Sequence, residues 1–193
     1  MKRLFVAFEI DTQLRNALSR DATEFRGECG REGEALRWVP PERYHLTAVF
    51  LGNVEDERVS DLKEAIQAPE LPQMDPVELG PSMVFPKPRN PRVLVRGVSA
   101  GAEPLSVAAE RLRLSLRDKE FELDDKPFRP HITVAYVRKR PLSVIRGIAE
   151  KWAQRDPYGG GRGEVRQIVL YESVRKRGGP VYTPLLARRL TTS

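Results

Sequence analysis

The feature that most constrains the fold is a tetrapeptide pattern that occurs twice. His45-Leu46-Thr47-Ala48 is matched in the second half of the chain by His131-Ile132-Thr133-Val134, and these are the only two histidines in the sequence. Side chains alternate between the two faces of an extended strand, so each histidine shares a face with the threonine two positions later. The aliphatic residues between them face the other way, toward a core. Two such strands facing each other would line a cleft with two imidazoles and two hydroxyls.

A histidine on a half-buried strand is commonly structural, and this alternative applies to either position taken alone. The repeat favours a functional role, because a threonine follows both histidines at the same spacing and in the same aliphatic setting. Residues that act together in catalysis must face one space, and two matched strands can provide it.

Hydrophobic periodicity predicts the rest of the chain in outline. We predict strands over residues 4–8, 36–39, 44–51, 77–85, 92–98, 131–137, 164–172 and 181–190. We predict amphipathic helices from a cap at Asp11 to Phe25, over 59–66, over 105–116, and from a cap at Ser143 to Trp152. Residues 27–34, 86–91 and 159–163 are predicted as loops, because glycine, proline or charged residues are concentrated there.

Two rounds of strands and helices, each with one His-x-Thr strand, predict an α+β fold. We expect residues 1–193 to form a single two-lobed domain with an internal pseudo-twofold repeat. Hairpin connections favour antiparallel sheets, which would face each other across a central cleft with the helices on the outside.

Composition limits the class of partner and the compartment. A net charge of +6 and a pI near 9.7 favour a polyanionic partner. The single cysteine, Cys29, cannot form an intrachain disulfide, which fits a reducing compartment. No apolar run is long enough to span a bilayer. We therefore expect a cytoplasmic protein with no membrane partner.

Two imidazoles with two hydroxyls fit phosphodiester cleavage better than other chemistries. No serine-type triad is legible, and the repeats supply two good metal ligands where a metal site usually needs three or four. A neutral imidazole can take a proton from an attacking oxygen while a protonated imidazole gives one to the leaving oxygen. The threonine hydroxyls would hold the phosphate oxygens as charge builds on them. This chemistry requires no metal and no other cofactor.

Sequence blocks along the chain match one known family in the same order. They are an opening strand, Leu4–Phe8; a first motif, Arg37–Gly52; a second motif, Phe128–Thr133; and a closing hairpin, Leu170–Ser173 with Tyr182–Leu185. On these blocks the chain resembles the RNA 2′,3′-cyclic phosphodiesterases, also called 2′-5′ RNA ligases, of the two-histidine phosphoesterase superfamily. The family fold is a two-lobed α+β structure with a central cleft, in agreement with the repeat.

The resemblance implies an activity and a role for each residue of the repeat. An RNA end carrying a 2′,3′-cyclic phosphate would be hydrolysed to a 2′-phosphomonoester, with reversible 2′-5′ ligation as a further activity. His45 would be the general acid on the leaving ribose oxygen and His131 the base that activates water. Thr47 and Thr133 would contact the phosphate. On the sequence alone the two histidine roles stay interchangeable, and we expect a monomer.

One departure from the family concerns a phosphate contact. Many relatives carry an arginine three residues after the second threonine, where this chain has Tyr136. Strand alternation directs Tyr136 away from the catalytic face, and Arg129 or an arginine near Arg175 is expected to substitute. Arg175 and Lys176 at the basic hairpin tip, together with Tyr182, are predicted to bind the substrate.

Two alternatives stay open beside hydrolysis of RNA ends. The cleft could bind a nucleotide or an RNA end without turnover, although the presence of both histidines and both threonines favours catalysis. It could instead hydrolyse a small cyclic nucleotide such as an ADP-ribose cyclic phosphate. Turnover of a 2′,3′-cyclic mononucleotide, compared with that of an oligonucleotide bearing the same end, distinguishes these substrates.

Overall fold

The computed structural model describes residues 1–138, 141–156, 160–177 and 179–193. Within these ranges the strands are β1 (Lys2–Ile10), β2 (Leu36–Trp38), β3 (His45–Val54), β4 (Val77–Lys87), β5 (Asn90–Ala100), β6 (His131–Val137), β7 (Arg162–Gly163), β8 (Val165–Lys176) and β9 (Gly179–Arg189). The helices are α1 (Thr12–Cys29), α2 (Val59–Gln67), α3 (Ala102–Asp118) and α4 (Leu142–Ala153).

The strands form one antiparallel sheet in the order β7-β4-β5-β6-β3-β1-β8-β9, and β2 pairs with β6 beside this path. The two His-x-Thr strands, β3 and β6, are neighbours at the centre and pair through Leu46 and Ile132. The two expected sheets are thus joined at this point into one hydrogen-bonded sheet. The α+β fold with antiparallel strands is confirmed.

Helices cover both halves of the sheet. α1 packs against β4 and β7, and α4 packs against β4 and β5, whereas α2 packs on α3 and α3 packs on β3. Although α1 follows β1 directly in sequence, it covers strands of the other half. One cluster of buried apolar side chains, which includes Leu46 and Ile132, fills the space between these layers. No helix in the described ranges is long and apolar enough to cross a membrane.

The predicted loop over residues 86–91 is shorter than expected. The segment 86–91 is a tight turn, because β4 continues to Lys87 and β5 begins at Asn90. Pro86 and Pro91 face each other in the pair next to the turn. In an antiparallel ladder, alternate pairs exchange no hydrogen bond, so proline can stand there without losing one.

The segment 27–34 also differs from the prediction. α1 continues to Cys29, ends at Gly30 with φ of 51°, and is followed by a 3₁₀ helix over Gly30–Ala35. The positive φ explains why glycine ends α1 at this position.

Helix starts were predicted correctly in one case and wrongly in another. Asp11 caps α1 by accepting a hydrogen bond from the Leu14 amide at 2.8 Å. Ser143 does not cap α4, which begins one residue earlier at Leu142, directly after Pro141. Pro141 is the N-cap residue of α4, and no side chain caps this helix.

Of the predicted loop 159–163, Gly159 lies outside the described residues, and Arg162–Gly163 form strand β7. A Cβ at Gly163 would lie 2.3 Å from the Asp11 carboxylate, so only glycine fits beside the α1 cap. Gly178 of the predicted hairpin tip also lies outside the described residues.

A buried ion pair joins α1, β5 and the end of α4. The side chains of Asp21 and Arg96 are fully buried, and Arg96 Nε lies 2.7 Å from the Asp21 carboxylate. Arg155 Nε donates to the other oxygen of Asp21 at 2.9 Å. Arg96 also donates to the main-chain carbonyls of Arg155 and Asp156 and lies over the Trp152 ring. Every charged side chain of this cluster has a partner of opposite charge, so removal of one charge leaves a buried partner uncompensated.

We predict that Asp21→Asn lowers the free energy of unfolding by about 3 to 5 kcal/mol, because a buried guanidinium loses its counter-charge. Chemical denaturation measures the change. Asp61→Asn is the matched control, because the Arg58–Asp61 pair is about half exposed and should contribute only about 0 to 1 kcal/mol. Equal losses in the two variants would contradict a structural role for the buried pair.

Candidate active site

Each histidine stands at the start of a central strand, at the edge of the core. His45 is the first residue of β3, and His131 is the first residue of β6. The next residues, Leu46 and Ile132, pair across the two strands and are fully buried. Because side chains alternate along a strand, both imidazoles lie on the opposite, open face of the sheet.

The same pair sets which residues stand side by side on that face. Its antiparallel register places His45 alongside Thr133, and His131 alongside Thr47. All four side chains are partly exposed. The structure therefore brings together, around one strand contact, the four residues that the sequence predicts as catalytic and phosphate-binding.

Both imidazoles are oriented by the same local hydrogen bond. Nδ1 of His45 lies 2.7 Å from the carbonyl oxygen of Arg43, and Nδ1 of His131 lies 2.6 Å from that of Arg129. A carbonyl oxygen can only accept, so Nδ1 carries a proton and donates it in both cases. Nε2 is then a free base in the neutral ring and a donor in the charged ring. Each histidine can thus exchange a proton at Nε2.

Burial lowers the pKa of both imidazoles from the ordinary value of 6.5. For His45 this effect outweighs the Arg43 carbonyl and the Glu9 carboxylate, which raise its pKa. A charge on His131 lowers the pKa of His45 further, so the two rings are electrostatically coupled. For His131 the Arg129 carbonyl raises the pKa, and burial prevails. In the free protein both rings are therefore mainly neutral at pH 7.

A cleft of about 520 Å³ opens beside His45. Thr47 lines it, and so do three of the four residues predicted to bind substrate, namely Arg175, Lys176 and Tyr182. We call this space the central cleft. The structure thus places the basic hairpin tip next to one of the two imidazoles.

The fourth residue predicted to bind substrate, Arg129, is placed differently. Its carbonyl accepts the hydrogen bond from His131, whereas its guanidinium is exposed and makes no hydrogen bond or ion pair within the described residues. Its contact with a phosphate stays a prediction.

Tyr136 lines the central cleft, so the prediction that it points away from the catalytic face is wrong. β6 contains a β-bulge, because Thr133 and Ala135 pair with consecutive residues of β5 and Val134 is left over. An extra residue resets the alternation of the strand beyond it. The burial pattern shows the change in alternation, because the consecutive residues Val134 and Ala135 are both buried.

β3 contains the same bulge at the equivalent position. Thr47 and Val49 pair with consecutive residues of β1, and Ala48 is left over. Phe50, three residues after the threonine as Tyr136 is in β6, therefore lines the central cleft. The repeat thus extends from the tetrapeptide to the backbone of both strands, and the internal duplication of the whole domain stays a prediction.

Two cation–π pairs line the central cleft and were not predicted. The guanidinium carbon of Arg3 lies 4.9 Å from the centre of the Phe50 ring, and that of Arg37 lies 4.6 Å from the centre of the Tyr136 ring. Arg37 belongs to a sequence block that carries the family resemblance, so a signal for it exists. Phe50 lies in the same block, but the bulges decide that its ring and the Tyr136 ring face the cleft, and no sequence signal marks Arg3.

Aromatic rings also surround the histidines. His45 contacts Phe5 and Tyr182, with ring centres 5.2 and 5.5 Å apart, and His131 contacts Phe85 at 5.0 Å. These rings contribute to the burial of each imidazole, and burial is the cause of the lowered pKa values.

The central cleft is positively charged. Arg3, Arg37, Arg175 and Lys176 line it, and no carboxylate of a described residue does. Within the described part of the chain none of these four cations takes part in an ion pair. Unpaired cations in a concave surface attract anions, so the cleft suits a phosphate-bearing ligand.

The described residues contain no group of three or more histidine, cysteine, aspartate or glutamate side chains that could hold a metal ion. A metal-independent reaction remains a prediction.

Comparison with known proteins agrees with this geometry. The family described as LigT like Phosphoesterase matches residues 8–95 and 97–182, and each stretch contains one His-x-Thr strand. An RNA 2′,3′-cyclic phosphodiesterase of Archaeoglobus fulgidus is 31% identical over 183 residues, covering 95% of this chain and 97% of the relative. A crystal structure of a Thermus thermophilus protein superimposes with a TM-score of 0.79 and 29% identity, covering 98% of both chains. The crystal structure of E. coli LigT complexed with ATP superimposes with a TM-score of 0.73 and 26% identity, covering 99% of both chains.

The sheet with two central His-x-Thr strands defines the class of two-histidine phosphoesterases. The chain belongs to the LigT-like phosphoesterase family and is a phosphodiesterase.

We predict that both histidines of the free protein titrate below the ordinary pKa of about 6.5, because burial disfavours the charged ring. NMR titration of the two imidazoles measures this directly, and a His131→Asn variant assigns the signals. Binding of a nucleotide 2′-phosphate should raise at least one pKa, since an anion favours the charged ring. Titration of both rings above pH 7 in the free protein would contradict the desolvated site.

Proposed function

We propose that this phosphodiesterase hydrolyses 2′,3′-cyclic phosphate ends of RNA to 2′-phosphomonoesters by acid–base catalysis with its two histidines. One observation carries the proposal: both imidazoles are held as Nδ1–H tautomers by the carbonyl two residues earlier, at a single strand contact. Two proton-exchanging Nε2 atoms on one face are what in-line displacement at phosphorus requires. The relative from Archaeoglobus fulgidus, which is named as an RNA 2′,3′-cyclic phosphodiesterase, supports the substrate class.

The reaction needs one proton transfer at each side of the phosphorus. Neutral His131 takes a proton from water, whose oxygen attacks the phosphorus. The bond from phosphorus to the ribose 3′ oxygen breaks, and protonated His45 gives its Nε2 proton to that oxygen. The product carries a 2′-phosphate and a 3′-hydroxyl, and the two histidines exchange protonation states until solvent restores them.

The surroundings of the two rings support this assignment of roles. Burial lowers the pKa of His45, and the carboxylate of Glu9, which pairs with His45 across β1 and β3, acts against this lowering. Among the described residues, no carboxylate influences the pKa of His131. His45 is therefore better placed to be protonated when an anionic substrate is bound.

Thr47 and Thr133 would donate hydrogen bonds to the non-bridging phosphate oxygens, which gain charge as water attacks. The cations of the central cleft would hold the ribose-phosphate chain, and its aromatic side chains offer rings for a base to stack on. Reversible 2′-5′ ligation follows if a 5′-hydroxyl takes the place of water. We still expect the enzyme to be monomeric and cytoplasmic and to use no metal.

We predict that the protein hydrolyses a 2′,3′-cyclic mononucleotide and that turnover survives dialysis against EDTA. His45→Ala or His131→Ala should lower kcat/KM by roughly a hundredfold or more, because one proton transfer is lost. Thr47→Ala or Thr133→Ala should cost less, about 1.5 to 3 kcal/mol, the range for a hydrogen bond to a charged group.

The controls separate catalysis from folding and from a binding-only role. Each variant should unfold at the same denaturant concentration as the wild-type protein. Near wild-type turnover in either histidine variant would sink the acid–base assignment, and recovery of an EDTA-inactivated enzyme by a divalent ion would replace it with a metal mechanism. Binding without turnover by the wild-type protein would favour the binding module.

A leaving group that departs without a proton assigns the two roles. With an aryl phosphodiester that releases nitrophenolate, His45→Ala should regain activity relative to the natural substrate, because no acid is needed. His131→Ala should stay inactive, since water still has to lose a proton. Rescue of His131→Ala alone would reverse the two roles.

A further inference from the structure

A second basic depression lies next to the central cleft. It has a volume of about 670 Å³, within the range of ligand sites, and Arg26, Arg37, Arg138 and Arg177 are in its lining. Among the described residues, Glu34 is the one carboxylate that lines it. We call this depression the Arg26 groove. Its excess of positive charge is not needed for the proton transfers at the histidines.

The Arg26 groove and the central cleft lie side by side and share Arg37 as a wall. This residue lines both spaces, and its guanidinium lies over the Tyr136 ring of the cleft. The β8–β9 hairpin also borders both, with Arg175 on the cleft side and Arg177 on the groove side. Gly179 of the hairpin is so close to Arg37 that a Cβ there would lie 2.8 Å from Nη1. The two spaces are therefore neighbours on the surface, with Arg37 and the hairpin tip between them.

The arginines of this groove differ from many other charged residues of the surface. Arg58, Arg117 and Arg166, for example, each have an acidic partner within 3.4 Å. Arg26 and Arg138 are exposed and take part in no ion pair within the described ranges. Guanidinium groups left without acidic partners along a path are the pattern expected where a nucleic-acid backbone is held.

We propose that the Arg26 groove holds the phosphates of the RNA strand upstream of the cyclic end, while the central cleft holds the terminal nucleotide. The inference rests on the proposed function and adds to it a preference for oligonucleotides over mononucleotides. Arg37 is the crossing point, and Arg26 and Arg138 bind backbone phosphates beyond it. Such contacts are made with the backbone, so they carry no base preference.

The test compares substrates of increasing length in wild-type protein and in an Arg26→Gln/Arg138→Gln variant. With wild-type protein, KM should fall as nucleotides are added to the 5′ side of a 2′,3′-cyclic mononucleotide. The variant should lose this gain, so its KM for the longer RNA should rise about tenfold. The slope of log affinity against log salt concentration should become shallower by about 1.4, because two phosphate contacts to a single strand are lost. Its kcat and KM for the mononucleotide should match the wild-type values.

An Arg20→Gln/Arg111→Gln variant is the matched control. It removes the same charge from exposed helix positions that line neither space, so it should keep the length dependence. An unchanged KM for long RNA in the groove variant, or an equal loss in both variants, would overturn the groove as an RNA site. Failure of the wild-type protein to turn over both the mononucleotide and the longer RNA would instead overturn the proposed function, so the two failures are distinguishable.

Discussion

The geometry of the site depends on the burial of Leu46 and Ile132. These two residues pair β3 with β6, and both are fully buried. A slip of either strand by one residue would turn its apolar side chain toward the cleft and its imidazole toward the core. Burial of each apolar side chain contributes about 1.5 to 3 kcal/mol, and a buried imidazole without a partner would add a penalty. Core packing therefore fixes the position of the two imidazoles.

The strands β3 and β6 share two local features. Each histidine is oriented by the carbonyl two residues before it, and each strand bulges one residue after its threonine. The bulges bring Phe50 and Tyr136 into the cleft, where each lies under an arginine. A local hydrogen bond to the main chain thus sets the tautomer of each imidazole, and the pairing of the strands sets which side chains line the cleft.

Burial and charge act in opposite directions on the two imidazoles. Aromatic neighbours lower their pKa values in the free protein, while an entering phosphate favours the charged form. A base that is neutral before substrate binds and an acid that becomes charged with it are what a two-proton mechanism needs. The cations that line the central cleft have no ion-pair partner among the described residues and attract anions.

The sequence by itself determined the two His-x-Thr strands, the antiparallel α+β fold and most helix positions, because these follow from periodicity, spacing and family resemblance. It placed His45, Thr47, His131 and Thr133 on one face, since strict alternation holds from each histidine to its threonine. Tertiary structure alone decided what lies beyond the bulges, such as Tyr136, because an unpaired residue is defined by the partner strand and leaves no local signature. It also decided that Arg37 joins two basic spaces, since this depends on the hairpin that folds over it from the far end of the chain.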